Sequence, residues 1–346
     1  MKVFLVIWIP LLLFPFCLYS QGNERSYQEI DENYRQYRVI FDKEVNALDT
    51  HATAGQPVNP AALSTIPSRL LQPLDDLPGR IYATGISDPG IDSSLARSQA
   101  IYRALLLASM MNGTAVSNLV DHYVQDYQLS SPEFSGQYFD YFEFTSEATC
   151  EIAKAAVLQE SYTDFGECIV RIEYRAEPGT GPSYVFRTVG VINEFEKDGV
   201  FECNTRIESG SKSLADSRAG DFLFICRMVN GLADVESYFQ GKLLPVTAAR
   251  LKYRSPGNED ETLPPEGVKT DRGLWNALLT SVIKALTIEI RSQTGQVKSA
   301  TDNYSDKTQA LSREAVTGTL TFRLDRIFIQ DNHLWTFPEQ INFSQP

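Results

Sequence analysis

The side chains with chemistry to offer in this chain are 5 cysteines, 3 histidines and 44 aspartates and glutamates, set against 31 lysines and arginines. Cys150, Cys168, Cys203 and Cys226 form an even set. In an exported chain such a set reads as a disulfide framework with three connectivities. Strand patterning favours the local pairs Cys150–Cys168 and Cys203–Cys226, each able to face its partner across a hairpin. Four buried thiols are the other reading. No two cysteines stand in C-x-x-C spacing, and the histidines are too few and too scattered to complete a zinc site. Neither a metal nor a cofactor is expected.

His51, His122 and His333 are far apart, and none sits in an i,i+4 ligand pair. The chain has no Gly-x-Ser-x-Gly elbow, no Gly-x-x-x-x-Gly-Lys phosphate loop and no dinucleotide Gly-x-Gly-x-x-Gly. Gly179-Thr-Gly181-Pro precedes a strand pattern, the wrong context for holding phosphate. Glu143 with Glu147, or Asp121 with His122, could serve as acid and base. In so acidic a chain such pairs arise from composition alone, and a solvated face is the preferred reading. No catalytic residue is therefore assigned, and the chain is not expected to be an enzyme. The densest aromatic run is Tyr138-Phe139-Asp140-Tyr141-Phe142-Glu143-Phe144. It could present a platform to a sugar or partner, but a strand buried on both faces explains it more simply. Asn112, Asn303 and Asn342 head Asn-x-Ser/Thr triplets, glycan acceptors only in a eukaryotic secretory pathway.

The elements that would position these groups are legible. Ile81 to Thr84 form a short strand running into Gly85, a Gly/Pro turn follows, and Ala96, Ala100, Ala104 and Ala108 then recur every four residues. That spacing places the alanines on one face of a helix capped by Asp92 or Ser93 and running to about Met111, able to lie unusually close to a sheet. Beyond Asn112-Gly113, segments rich in aromatic and β-branched residues follow. They are Val116–Tyr127 (helix extension or strand), Tyr138–Thr145, Ala148–Leu158, Glu167–Tyr174, Tyr184–Glu196, Val200–Ile207, Asp221–Val229 and Leu243–Tyr253, with a hairpin turn at Lys197-Asp198-Gly199. A second helix is predicted over Leu274–Ile290, then strands over Thr317–Ile329 and Leu334–Phe343. At an offset of 181 residues Ala96, Ala104, Leu105, Val116, Asp121 and Tyr123 meet identical residues at Ala277, Ala285, Leu286, Val297, Asp302 and Tyr304. A duplicated helix-on-sheet unit and a chance match are left at even weight.

Upstream, Val3 to Tyr19 is a charge-free apolar run after Lys2, leaving through Leu18-Tyr19-Ser20. It reads as a cleaved signal peptide rather than a membrane anchor, and Phe16 before Cys17 disfavours lipid attachment. Tyr27, Ile30, Tyr34, Tyr37, Phe41, Val45 and Leu48 mark an amphipathic helix, which either packs on its own domain or assembles with a partner. Net charge is −13, which repels phosphate backbones and anionic headgroups, so nucleic acid is not an expected partner. No later segment is apolar for long enough to cross a bilayer.

The order Ile66-Pro67-Ser68-Arg69-Leu70, then Pro78-Gly79-Arg80-Ile81-Tyr82-Ala83-Thr84-Gly85-Ile86-Ser87, then Leu95-Ala96 and the alanine-spaced helix resembles the lipoprotein-20 family and the related N-terminal region of flagellar assembly protein T. The resemblance covers about residues 66–121. It implies an Ala-rich helix on an antiparallel sheet in an exported, envelope-associated, non-enzymatic protein with an interaction role. Members often carry Trp where this chain has Arg69-Leu70, and many carry a lipid-attachment cysteine for which Cys17 is a poor match.

The expected organisation is α+β. A signal peptide (1–20) precedes an amphipathic helix (21–50), an extended Pro-rich connection (51–77), an α+β domain (78–256), a linker (257–270) and a smaller α+β unit (271–346). The expected function is binding or scaffolding in the bacterial cell envelope or periplasm, through an envelope protein or self-association by the Tyr27–Leu48 helix. The alternatives are a carboxylate-dependent hydrolase of envelope polymers and a structural subunit of an envelope machine.

Overall fold

A computed structural model describes residues 79–125, 135–149, 156–175, 183–195, 198–209, 222–229, 267–270, 273–294, 310–330 and 332–345, with short pieces between 30 and 74 and between 232 and 254. The leader at 1–20 lies outside the described residues. Of the Tyr27–Leu48 helix, positions 30, 32 and 35 are described; all are helical, and Ile30 is buried.

The fold is α+β. Its strands are β1 (Arg80–Ile86), β2 (Thr114–Gln125), β3 (Ser135–Thr149), β4 (Ala156–Tyr162), β5 (Cys168–Arg175), β6 (Ser183–Phe195), β7 (Asp198–Ser209), β8 (Phe222–Val229), β9 (Leu232–Asp234), β10 (Val268–Lys269), β11 (Ala310–Gln330) and β12 (His333–Ser344). The helices are α1 (Ser93–Asn112) and α2 (Leu274–Thr294), and a single helical turn at Ser68–Leu71 precedes them. A nine-stranded sheet runs in the order β9-β8-β7-β6-β3-β2-β11-β12-β10, and a three-stranded sheet in the order β1-β5-β4. Two further strand pairs join Leu63–Thr65 to Lys252–Arg254 and Ser237–Phe239 to Lys242–Leu244.

Helix α1 begins where the sequence indicates. Asp92 Oδ1 accepts from the Ser94 amide at 2.9 Å, satisfying one of the amides that the first turn leaves open. Those hydrogen bonds from Ser94 also hold the Asp92 carboxyl below its ordinary range. The last turn has no basic residue of its own. Arg323 of β11 supplies one, donating to the Met111 carbonyl at 3.1 Å.

Along its length α1 is walled in on both sides. Ala96, Ala100 and Ala104 are fully buried and lie against β1, where a Cβ on Gly85 would come within 3.0 Å of the Ala100 carbonyl, the Ala104 amide and the Ala104 Cβ. The opposite side meets the large sheet. Ser109 and Ser146 share a hydrogen bond of 2.8 Å, and the Tyr102 ring stands edge-on to Tyr184 at 5.7 Å. The molecule therefore stacks the small sheet, the helix α1 and the large sheet in three layers. This explains why the helix carries Leu105, Leu106, Leu107, Met110 and Met111 beyond its alanine stripe, all buried.

The large sheet crosses the boundary expected at 257–270. β2 and β11 pair in antiparallel register from Leu320 opposite Thr114 to Ala310 opposite Val124, so residues from both sides of that linker are neighbours at the centre of one sheet. Each helix is followed by an antiparallel hairpin, α1 by β2–β3 and α2 by β11–β12, and the two hairpins meet at that junction. The helix starts keep the 181-residue offset, but the hairpin after α2 begins at Ala310. Val297, Asp302 and Tyr304 lie outside the described residues.

Two strand ends shift from their expected positions. Phe195 pairs with Asp198 and Glu194 with Gly199, so Asp198 and Gly199, expected in the turn, belong to β7. The expected Ala148–Leu158 strand is divided between the end of β3 and the start of β4. The aromatic run lies in the middle of β3, and Tyr141, Phe142 and Phe144 are all buried on their respective faces. Phe142 fits because its neighbour across the strands is Gly190, where a Cβ would lie 2.7 Å from Phe142 Cε1 and closer still to two other ring carbons. Gly190→Ala is expected to cost about 1–3 kcal/mol through a displaced ring, read as a lower urea midpoint with an unchanged m-value.

Candidate functional site

Charged side chains gather at three places. The first is the hub between the two helices. Arg103 of α1 has a fully buried side chain, and its guanidinium grips Asp88 with two bonds of 3.0 and 3.1 Å. It also donates to the Ile86 carbonyl at 2.8 Å and lies 5.3 Å from the centroid of the Trp275 ring. Gln99 donates to Asp88 Oδ2 at 2.6 Å and accepts from the Asp88 amide at 2.7 Å. Burial lowers the Arg103 pKa, while Asp88 and then Glu167 pull it back up. Glu167, also fully buried, accepts from Thr163 Oγ1 at 3.1 Å and from the Leu274 amide at 3.1 Å. It thereby supplies a negative charge to the N-terminus of α2 from 107 residues away in sequence.

The second place is strand β3, which carries an acid to each face of the large sheet. On the helix side Asp140 is fully buried; it accepts from Asn118 Nδ2 at 2.7 Å and meets Arg291 of α2 through Oδ2. Burial pushes its carboxyl up to about 7 against the pull of the Asn118 amide. The guanidinium at Oδ2 favours the ionised form and opposes that rise, so removing it leaves burial to act on the carboxyl without its cation. Arg291→Met then tests the pair. With the folded pKa raised by burial above the unfolded one, the stability of the variant is fully present below about pH 4 and is lost as pH rises through the raised value. The variant is expected to lose about 2–3 kcal/mol relative to the parent at pH 8 and much less at pH 5, measured by urea unfolding at the two pH values.

On the opposite face Glu143 accepts from Tyr141 Oη at 2.8 Å and pairs with Arg187 at 2.5 Å. Glu147, weighed with it as an acid–base pair, is exposed and lies farther along the same strand, about 13 Å away at roughly 3.3 Å per residue. That separation exceeds the roughly 5–9.5 Å spanned by the acid pairs of glycoside hydrolases. Asp121 and His122 are consecutive residues of β2, and their side chains lie outside the described set.

The cysteines divide between the two sheets. Cys168 is a buried free thiol on β5, pushed up to about 11 by burial, and Cys150 lies outside the described residues. Cys203 is buried on β7, directly opposite Cys226 of β8 in the sheet register. Among the described residues no group of three His, Cys, Asp or Glu side chains could hold a metal ion, and no helix is long and apolar enough to cross a membrane. His51 lies outside the described residues, and His333 opens β12 opposite Lys269. Asn112 and Asn342 are exposed.

The third place is the one that reaches solvent. Thr336 of β12 shares a 2.7 Å hydrogen bond with Ser281 of α2, so its strand neighbours Trp335 and Phe337 point away from the helices. Ile327 and Ile329 of β11 are buried, which turns Phe328 to the same outer face. There Phe328 stacks between Trp335 (centroids 6.4 Å, planes 17° apart) and Phe337 (5.7 Å, 13°). Arg326 closes the column, its guanidinium carbon 4.6 Å from the Phe337 centroid. At the other end the Gly267 backbone lies against Trp335, where a Cβ would come within 2.5 Å of the indole. All three rings are half-buried, and the Arg326 side chain is 46% exposed. Sequence reasoning passed over this column because its members alternate along two strands and become adjacent only through the β11–β12 register.

Comparison with family models, with curated proteins and with solved structures finds no match for this chain.

Proposed function

We propose that the protein is an exported, non-catalytic binding or scaffolding protein of the bacterial cell envelope, and that the β11–β12 face is where it meets its partner. The observation that carries this reading is the Trp335–Phe328–Phe337–Arg326 column. It is a pre-ordered aromatic and arginine stripe, its rings partly buried and its arginine exposed, on the sheet face opposite the helices. Aromatic and arginine side chains dominate the energetics of protein contacts, and rings already held in place lose little further freedom on binding. The buried acids, by contrast, are engaged in holding elements together. Asp88 holds α1 to the β1 turn, Glu167 caps α2 and Asp140 anchors the end of α2. Export rests on the apolar leader at residues 1–20, and the envelope on the resemblance of residues 66–121 to the lipoprotein-20 family.

The test is a photo-cross-linking residue placed at Asp325 in the native cells, followed by fractionation and mass spectrometry. The expected result is a chain lacking residues 1–20 in the envelope or periplasmic fraction, joined to one defined envelope component, with capture lost in Arg326→Ala. A cytosolic protein still carrying residues 1–20 would overturn the reading. A cross-link pattern indifferent to Arg326→Ala would remove the β11–β12 face from it.

A further inference from the structure

We infer that Cys203 and Cys226 of the exported protein are joined by a disulfide that pins β8 to β7 near the edge of the large sheet. This rests on the reading of the protein as exported, and it selects one pair from the connectivities that the cysteine count leaves open.

Strand register carries the inference. Cys203 of β7 stands directly opposite Cys226 of β8 on one side and opposite Gly190 of β6 on the other. Gly190 in turn stands opposite Phe142 of β3, whose ring occupies the place that a side chain at Gly190 would take. Of the two cross-strand neighbours of Cys203, one has no side chain and the other is a cysteine. Residues directly opposite in an antiparallel pair share a face and have Cα atoms about 4.5–5.5 Å apart. That separation falls within the roughly 4.4–6.8 Å that a disulfide spans. Cys168, by contrast, stands opposite Tyr162 on β4 of the small sheet.

The compartment and the place in the fold supply the rest. An oxidising compartment forms and keeps such bonds, whereas the cytosol holds cysteines as thiols. Outside β8 the sheet has only the three-residue strand β9, and a sheet edge that peels offers unpaired backbone to other chains. A bond from β7 to β8 prevents that opening, and it also restricts the unfolded chain, which stabilises the folded one. It forms by exchange with a donor disulfide, either oxidised glutathione or a protein dithiol oxidase. One cysteine thiolate attacks a donor sulfur and releases the other donor sulfur as a thiol. The second cysteine thiolate then displaces the donor from the mixed disulfide. The cysteines lose two electrons and two protons, and the donor gains them as two thiols. Cys203 is fully buried in the finished sheet, so exchange belongs to the stage when β7 and β8 have paired and the core has not yet closed.

The test adds N-ethylmaleimide to the native cells and keeps it present through fractionation and denaturation, so that every thiol is blocked. The chain from each fraction is then cut with trypsin without reductant and read by mass spectrometry. Trypsin cuts after Lys197, Arg206, Arg218 and Arg227 and so isolates each cysteine on its own peptide. The expected result, in the envelope or periplasmic fraction, is one species joining Asp198–Arg206 to Ala219–Arg227. In urea unfolding, reductant should lower the midpoint of the purified parent more than that of Cys226→Ala. Maleimide on both peptides of a chain from that fraction, or a link from either to Cys150 or Cys168, would overturn the inference and leave export standing. Maleimide on both peptides of a cytosolic chain still carrying residues 1–20 would overturn the inference and the export reading together.

Discussion

Gly85→Val is expected to prevent folding to the native state, with a loss of about 4 kcal/mol or more. The atoms within 3.0 Å of an added Cβ are the Ala100 carbonyl, the Ala104 amide and the Ala104 Cβ, two of them helix backbone. No rotamer change can relieve backbone contacts. The whole of α1 would have to retreat from β1, and its other side is already held by the large sheet through Ser109 and Tyr102. Close-packed interiors do not absorb such displacements cheaply. Gly79→Ala is the informative control. Gly79 has φ +72° but nothing within 4 Å of an added Cβ, so only the left-handed backbone resists, at about 1–2 kcal/mol. Urea unfolding of the two variants separates the effects. A Gly85→Val protein unfolding near the parent midpoint would show that α1 does not lie against β1 as described.

The second large effect is expected at the hub between the helices. Asp88→Ala leaves the Arg103 guanidinium buried without its carboxylate, and Arg103→Met leaves Asp88 without its cation. Each single change is expected to cost about 3–5 kcal/mol, because an uncompensated buried charge costs more than the pair contributed. The double variant should be more stable than either single one, since both charges leave together. That coupling, measured by a double-mutant cycle in urea, is the signature of an ion pair rather than of lost packing. Additive losses would mean that Arg103 acts through its contact with Trp275 and its bond to the Ile86 carbonyl instead.

Much of this molecule could be read along the chain. The start of α1 at Asp92, its end near Met111, its alanine face and the α+β class follow from caps, spacing and strand composition, all of which act within a few residues. Val116–Tyr127 could be read as helix or strand, because its apolar residues suit either period. Pairing with β3 on one side and β11 on the other decides for strand. The break at 257–270 is a real change in composition, yet it marks no division of the sheet, since strand pairing is indifferent to the length of chain between partners. Glu143 and Glu147, read as more at home on a solvated face than in an acid–base pair, are set far apart by extended backbone, and Glu143 is buried. The acid that organises the second helix, Glu167, carries no local sign of that role.

What the sequence determined by itself, then, is local. It set where helices begin, which faces are small and which segments alternate, because those depend on neighbours one to four residues away. Tertiary structure decided which charges would be buried together and which aromatic residues would form a column. Asp88 meets Arg103 across a turn and a helix, Asp140 meets Arg291 across two elements, and Phe328 meets Trp335 only through the register of a hairpin. Such contacts are set by layer packing and strand register, and both are properties of the assembled core rather than of any stretch of chain.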